Sequence, residues 1–139
     1  MAVKLPTRPL PPLGAQRRPR AEREGYLAFV RRLPCLICRV TNMTKIHAAH
    51  VRYHSFKHGK TETGVGRKPD DRWAVPLCES HHLLGPDAQH DSGEREWWES
   101  KKIDPLVIAA LLYSHYSVND EYAASQVAIS AREISRRME

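Results

Sequence analysis

Residues 75–82 read Val-Pro-Leu-Cys-Glu-Ser-His-His, an apolar run that leads directly into a Cys78-x-x-His81 pair. The segment from Cys78 to Leu84 predicts a helix that ends at Gly85-Pro86. A spacing of three places Cys78 and His81 on one face of that helix. Both side chains are therefore predicted to reach the same ion.

A second metal-binding pair, Cys35-x-x-Cys38, lies upstream in a predicted tight turn after Pro34. Two ligands from a turn and two from the start of a helix suit a tetrahedral zinc site, and thiolate ligands favour zinc. A closed four-ligand site of this kind is structural, and zinc binding adds to the folding free energy. The alternative is that the cysteines are buried apolar residues and His81 is a capping histidine.

The cysteine count favours metal binding over a disulfide framework. Three cysteines cannot all pair within one chain, and residues 1–6 lead into proline and arginine without an apolar signal core. The chain is therefore predicted to stay in the cytoplasm. A redox role for Cys35 and Cys38 is disfavoured because no βαβ pattern surrounds them.

The hydrophobic pattern predicts a small α+β domain. A helix from about Ala21 precedes two short strands, which are joined by a long loop. Further helices follow, two with local start signals. The predicted strands are Lys45 to Val51 and Trp73 to Leu77. The predicted later helices are Arg95 to Lys102, Leu106 to Tyr113 and Asp120 to Arg137. The first of these helices follows a capping box from Asp91 to Glu94, and the second follows the start signal Asp104-Pro105.

Charge and length restrict the function classes. The 139 residues carry 22 Lys and Arg against 16 Asp and Glu, and no segment is long and apolar enough to span a membrane. Six cationic and two acidic residues fall within residues 1–25, where five prolines favour an extended basic arm. Such an arm suits a polyanionic partner, although it could equally be a solvated tail.

His82 predicts a second metal site. Adjacent residues on a helix point about 100° apart, so His81 and His82 do not easily bind the same ion. Candidate partners for His82 are Asp71, His50 and His90. Imidazole and carboxylate ligands beside a cationic loop would form an open site with positions left for phosphate and water.

Four segments in this order carry a family resemblance: Cys35-Leu-Ile-Cys38, Ala49-His50-Val51, Gly64-Val-Gly-Arg-Lys-Pro-Asp-Asp71 and Val75-Pro-Leu-Cys78-Glu-Ser-His81-His82. Together they resemble an HNH endonuclease of the ββα-metal fold, and most of all the phage and prophage type of Ref-like recombination-enhancement nucleases. The resemblance covers about Pro34 to Pro105, including Glu94-x-x-Trp97-Trp98.

The resemblance implies a fold class and a domain organisation. The fold is expected to be α+β, a small zinc-stapled ββα-metal (HNH) core with additional helices and a flexible basic N-terminal arm. The expected organisation is an arm over residues 1–20, a nuclease domain over 21–116 and a C-terminal helix over 117–139.

The resemblance also implies a mechanism. His50 takes the general-base position, where a neutral imidazole removes a proton from the water that attacks phosphorus. Asp71 stands where the family name has asparagine, and would bind metal or order the loop. His82, with His90 as a possible addition, would hold one catalytic divalent ion, Mg²⁺ or Mn²⁺ with Zn²⁺ or Ni²⁺ as alternatives. DNA is the implied partner, with a recombination or phage DNA-processing protein beside it.

The chain departs from the family pattern at two positions. Many relatives bind metal through the residue before the base, which here is Ala49, and through a histidine four residues after His82, which here is Pro86. His47, three residues before His50, would lie on the opposite face of a regular strand and is interpreted as a supporting residue. A non-catalytic zinc module that binds DNA or protein therefore stays open as an alternative.

Six cations of the long loop are predicted to position phosphates without reading bases, which implies low sequence specificity. They are Arg52, Lys57, Lys60, Arg67, Lys68 and Arg72. Trp97 and Trp98 are predicted to lie in the core.

Overall fold

The computed structural model describes residues 23–41, 45–53, 70–85, 87–89 and 93–138. The architecture is α+β, as predicted: one helix precedes a small antiparallel sheet, and a group of helices follows it. Helix α1 spans Glu24–Val30, strand β1 Ile46–His50 and strand β2 Ala74–Cys78. The predicted arm over residues 1–20 lies outside the described residues.

The two strands pair in an antiparallel register that extends from Ile46 opposite Cys78 to His50 opposite Ala74. A 3-10 turn, Asp71–Trp73, leads directly into β2. The end of β1 therefore lies beside the start of β2, and this register brings His50 close to the residues that precede β2.

A π-helical turn, Ser80–Leu84, follows β2 where the sequence predicts an α-helix from Cys78. Cys78 is instead the last residue of β2. The wider turn ends at Gly85, whose backbone N–H donates to the carbonyl oxygen of Ser80 at 2.8 Å. Single π-turns of this kind are rare and recur at functional sites.

The remaining helices close the core. They are α2 (Glu94–Lys101), α3 (Pro105–Ser117), α4 (Glu121–Ile129) and α5 (Ala131–Arg137). The predicted capping box begins at Asp91, which lies outside the described residues; α2 begins at Glu94 with Gly93 as its N-cap. The prediction of a single last helix from Asp120 to Arg137 is wrong, because the helix is interrupted at Ser130 and forms α4 and α5.

Helix α3 forms the centre of the core. Its residues Leu106, Ile108 and Leu112 are at most 1% exposed, and Ala124 and Ala128 of α4 belong to the same buried cluster. The predicted core positions of Trp97 and Trp98 are confirmed, at 4% and 1% exposure. The C-terminal helices thus share one hydrophobic core with the sheet.

Tyr26 links helix α1 to the sheet. Its buried hydroxyl donates to the carbonyl oxygen of Ala74 at 3.1 Å, and its ring packs against Tyr113 and Tyr116 of α3. Burial raises the pKa of Tyr26, so the hydroxyl stays protonated and keeps its donor. Among the described residues, no helix is long and apolar enough to cross a lipid bilayer.

The Asp104-Pro105 start signal of α3 is confirmed, and it supports a stability prediction. The Asp104 carboxylate accepts from the backbone N–H groups of Leu106 and Val107 at 3.1 and 3.4 Å. We expect Asp104→Ala to lower the free energy of unfolding by about 1 kcal/mol, since two N–H groups lose this acceptor. Urea unfolding measures it. Asp104→Asn keeps a cap and should stay within a few tenths of wild type; equal losses in both variants would show that the cap is not the cause.

Candidate metal and active centre

Four side chains converge at the junction between the α1–β1 connection and the π-helical turn. The ligand atoms of Cys35, Cys38, Cys78 and His81 all lie within 4.8 Å of one another, the one such group of three or more in the described part of the chain. The Cys38 and Cys78 sulfurs are 3.6 Å apart, and His81 Nδ1 lies 3.2 Å from the Cys78 sulfur. The structure therefore brings together the four residues predicted from the two sequence pairs.

These separations fit a tetrahedral ion. Zinc–sulfur and zinc–nitrogen bonds of about 2.3 and 2.1 Å place two sulfurs roughly 3.8 Å apart and a sulfur and a nitrogen roughly 3.6 Å apart. The sulfur–nitrogen distances of 3.2 and 3.9 Å bracket the expected value, and the sulfur–sulfur distance of 3.6 Å lies slightly below it. A cluster of three cysteines and one histidine could hold a structural zinc with little rearrangement.

The turn that carries Cys35 is formed by backbone hydrogen bonds. The N–H of Cys35 donates to the carbonyl oxygen of Val40, and the N–H of Arg39 donates to that of Cys35. Arg39 takes a left-handed conformation, with φ of 62°, to close the turn. The N–H of Ile37 donates to the Cys35 sulfur at 3.4 Å.

Metal binding at the cluster is linked to the protonation of its ligands. Desolvation, together with the neighbouring thiols, raises the pKa of Cys38 to about 11, so that without a metal this thiol stays protonated at neutral pH. Burial lowers the pKa of His81, which favours the neutral imidazole that a metal needs. A bound cation would compensate the thiolates and release their protons.

His81 and His82 point to different partners, but among the described residues His82 forms no metal-binding group with its predicted partners His50 and Asp71. His81 faces the sulfur cluster, whereas His82 Nδ1 lies 2.9 Å from Nδ1 of His47 on β1. The hydrogen bond agrees with the prediction of His47 as a supporting residue, but the sequence did not identify His82 as its partner. The contact between His47 and His82 depends on where the π-turn lies over the sheet, and this position cannot be predicted from strand spacing or composition.

His50 and Asp71 form a second pair. His50 Nε2 lies 2.8 Å from Oδ1 of Asp71, with the carboxylate 2% and the imidazole 14% exposed. The other oxygen, Oδ2, accepts from the backbone N–H of Arg23 at 2.8 Å. The sequence singled out both residues of the pair, but not the N–H group at the start of α1 that donates to the other carboxylate oxygen.

The predicted phosphate contacts are only partly described. Arg52 is exposed, and its backbone N–H donates to Glu94 of α2 at 3.0 Å. The Arg72 guanidinium lies 4.6 Å from the Trp73 ring centre, a cation–π contact within the fold. Contact of either residue with phosphate stays a prediction. Outside the described residues lie Lys57, Lys60, Arg67, Lys68 and His90.

Ala49 is fully buried in the core and offers no metal ligand. The position that binds metal in many HNH relatives is thus a core position in this protein, and it is filled by a small apolar side chain. Ala49 and His47 are two residues apart and share one face of β1, whereas His50 faces the other side.

Taken together, the fold and the cluster define a small α+β protein with a four-ligand group that could hold zinc. The chain belongs to the family described as "Protein of unknown function (DUF968)", whose model matches residues 2–110. No curated protein and no solved structure gives a significant match. The matched region includes the four-ligand group and both histidine pairs.

Removal of zinc tests the four-ligand group. We expect the purified protein to contain one zinc per chain, and a chelator to lower its melting temperature by about 10 °C or more, because the ligands lose a structural cation. Elemental analysis and thermal unfolding measure both effects. Cys78→Ser should lose the zinc. His82→Ala is the matched control and should retain it, since this ring faces His47; zinc loss in His82→Ala would contradict the assignment.

Proposed function

We propose that the protein is a metal-dependent HNH-type endonuclease that hydrolyses phosphodiester bonds in DNA with low sequence specificity. The observation that carries the proposal is the hydrogen bond between His50, at the end of β1, and the buried carboxylate of Asp71. An imidazole held by a buried carboxylate is an arrangement that serves general-base catalysis. The ordered motifs of the HNH resemblance supply the reaction class.

The hydrogen bonds of Asp71 determine which nitrogen of His50 acts as the base. A carboxylate only accepts hydrogen bonds, so Nε2 of neutral His50 carries the proton that it donates to Oδ1. In that tautomer the basic lone pair is on Nδ1. The N–H of Arg23 holds the other carboxylate oxygen, which restrains Asp71 and, through it, the orientation of the imidazole.

The proposed reaction is a hydrolysis that balances with water alone. Nδ1 of His50 takes a proton from water while the water oxygen bonds to phosphorus. The bond from phosphorus to the 3′ oxygen breaks, and that oxygen leaves with a proton from solvent. The products are a 5′-phosphate and a 3′-hydroxyl. A divalent cation, when bound, would neutralise the charge that develops on the phosphate and the leaving oxygen.

DNA binding would depend on cationic side chains more than on contacts with the bases. The exposed Arg52 and the loop lysines and arginines would contact phosphates, and affinity would fall steeply with added salt. We further propose a phage or prophage origin, action in the cytoplasm of a bacterial host, and cooperation with a recombination or DNA-processing protein.

A non-catalytic zinc module that binds DNA or a protein is the second candidate. The observation that favours it is Ala49, whose buried methyl group stands where many relatives of the HNH type place a metal ligand. This candidate predicts salt-sensitive binding and one zinc per chain, with no cleavage under any divalent cation.

His50→Ala tests the catalytic proposal. We expect wild type to nick or cleave plasmid DNA with Mn²⁺ or Mg²⁺, and the variant to do so at least about 100-fold more slowly, because the general base is lost. Gel assays of plasmid conversion measure the rates. His115→Ala, a histidine on α3, is the matched control and should retain activity. Equal rates in wild type and His50→Ala would overturn the proposal.

Asp71→Asn tests the tautomer. The N–H of Arg23 requires an oxygen, so the amide nitrogen of the substituted side chain would face Nε2 of His50 and donate to it. The imidazole would then carry its proton on Nδ1 and lose its basic lone pair there. We expect kcat to fall at least about tenfold while zinc content and DNA affinity stay unchanged. An unaltered pH–rate profile in this variant would show that Asp71 does not orient the base.

A further inference from the structure

A second pair of imidazoles lies on the π-helical turn and the sheet. The Nδ1 atoms of His47 and His82 are 2.9 Å apart, and the ring planes are inclined by 79° with centres 5.1 Å apart. Both side chains are partly exposed, so water and ligands reach them. The two residues come from elements that are distant in sequence, and both present the same ring nitrogen.

The nitrogen–nitrogen distance indicates how a cation would be held. Two imidazole ligands at about 2.1 Å from one ion lie roughly 3.0 Å apart if they meet at a right angle, and roughly 3.4 Å apart in a tetrahedron. The observed 2.9 Å lies close to this range, so a small movement of either ring would let both nitrogens bind one ion.

We propose that His47 and His82 together bind one divalent transition-metal cation, of the Mn²⁺, Co²⁺ or Ni²⁺ class, in preference to Mg²⁺. Imidazole ligands suit transition metals, whereas Mg²⁺ prefers oxygen ligands and keeps its waters. The remaining coordination positions are open to water and to a phosphate oxygen. As the identity of the nuclease cation, this assignment rests on the proposed function, and it makes His47 a ligand where Ala49 offers none.

The position of His82 beside the cysteine cluster keeps the two cations distinct. His81 and His82 are consecutive, yet His81 Nδ1 lies 3.2 Å from the Cys78 sulfur while His82 Nδ1 lies 2.9 Å from His47. Thiolates select zinc, and the hard cation Mn²⁺ competes poorly for them. Mn²⁺ therefore probes the histidine pair without displacing the structural metal.

The test is an electron paramagnetic resonance titration of the full-length, zinc-loaded protein with Mn²⁺. We expect wild type to bind one Mn²⁺ per chain, with pulsed spectra that show two coordinated imidazole nitrogens. His47→Ala should bind Mn²⁺ at least about tenfold more weakly and retain one imidazole. His115→Ala is the matched control and should behave as wild type. An unchanged affinity and imidazole count in His47→Ala would overturn the proposal.

A second variant separates a ligand from a hydrogen-bonding partner. The side chain of His47→Gln can still hydrogen-bond to His82, but it offers no imidazole. If His47 only positions His82 by a hydrogen bond, this variant should retain wild-type Mn²⁺ affinity and spectrum, which would overturn the ligand role. If His47 is a ligand, His47→Gln should resemble His47→Ala, whereas His47→Asp should regain binding and shift the preference towards Mg²⁺.

Cleavage assays distinguish this inference from the proposed function. Mn²⁺ binding that depends on His47, in a protein that cleaves no DNA, would support the cation site and count against the nuclease. Cleavage that depends on His50, but is equally fast and equally Mn²⁺-dependent in His47→Ala, would support the nuclease and count against the cation site. Zinc content and melting temperature, measured for every variant, show that the fold is retained.

Discussion

The convergence of three thiols and one imidazole is the constraint on which the rest of the structure depends. The desolvated Cys38 thiol has a pKa of about 11, so the cluster becomes a set of good ligands only with a cation to compensate the charge. The same cluster joins the turn after α1 to the end of β2, and the backbone N–H of Leu36 donates to Pro76 of that strand. A cation there would hold β2, and with it the register of the sheet.

That register determines the chemistry on both sides of β1. Pairing His50 with Ala74 brings the imidazole beside the 3-10 turn that carries Asp71, whereas His47, opposite Leu77, reaches the π-turn. A shift by one residue would turn every side chain of β1 to the other face and separate both pairs. The two histidine pairs therefore depend on the sheet register, although neither contributes a ligand to the cysteine cluster.

Features with local sequence signals could be predicted. The Cys-x-x-Cys and Cys-x-x-His spacings are short, so the sequence alone indicates that each pair can bind one ion. Asp104-Pro105 combines a helix cap with a proline at the first helical position. Contacts between distant elements had no such signal. The pairing of His47 with His82, the N–H of Arg23 on Asp71 and the break at Ser130 all depend on tertiary packing. The Glu94 carboxylate, whose spacing suggested a local cap, accepts from Arg52 and Gln89, which are other contacts that the local spacing did not predict.

The buried carboxylate of Asp71 shows why α1 belongs to the site and not only to the core. A carboxylate that is 2% exposed is costly unless its oxygens are hydrogen-bonded, and one of its partners is the N–H at the start of α1. Arg23 also binds Asp70 and Tyr113 through its guanidinium, which fixes that N–H relative to the 3-10 turn and α3. Helix α1 thus satisfies the oxygen that His50 does not. A variant that displaced α1 would remove the hydrogen bond from the Arg23 N–H to Asp71, and with it one restraint on the carboxylate that orients His50.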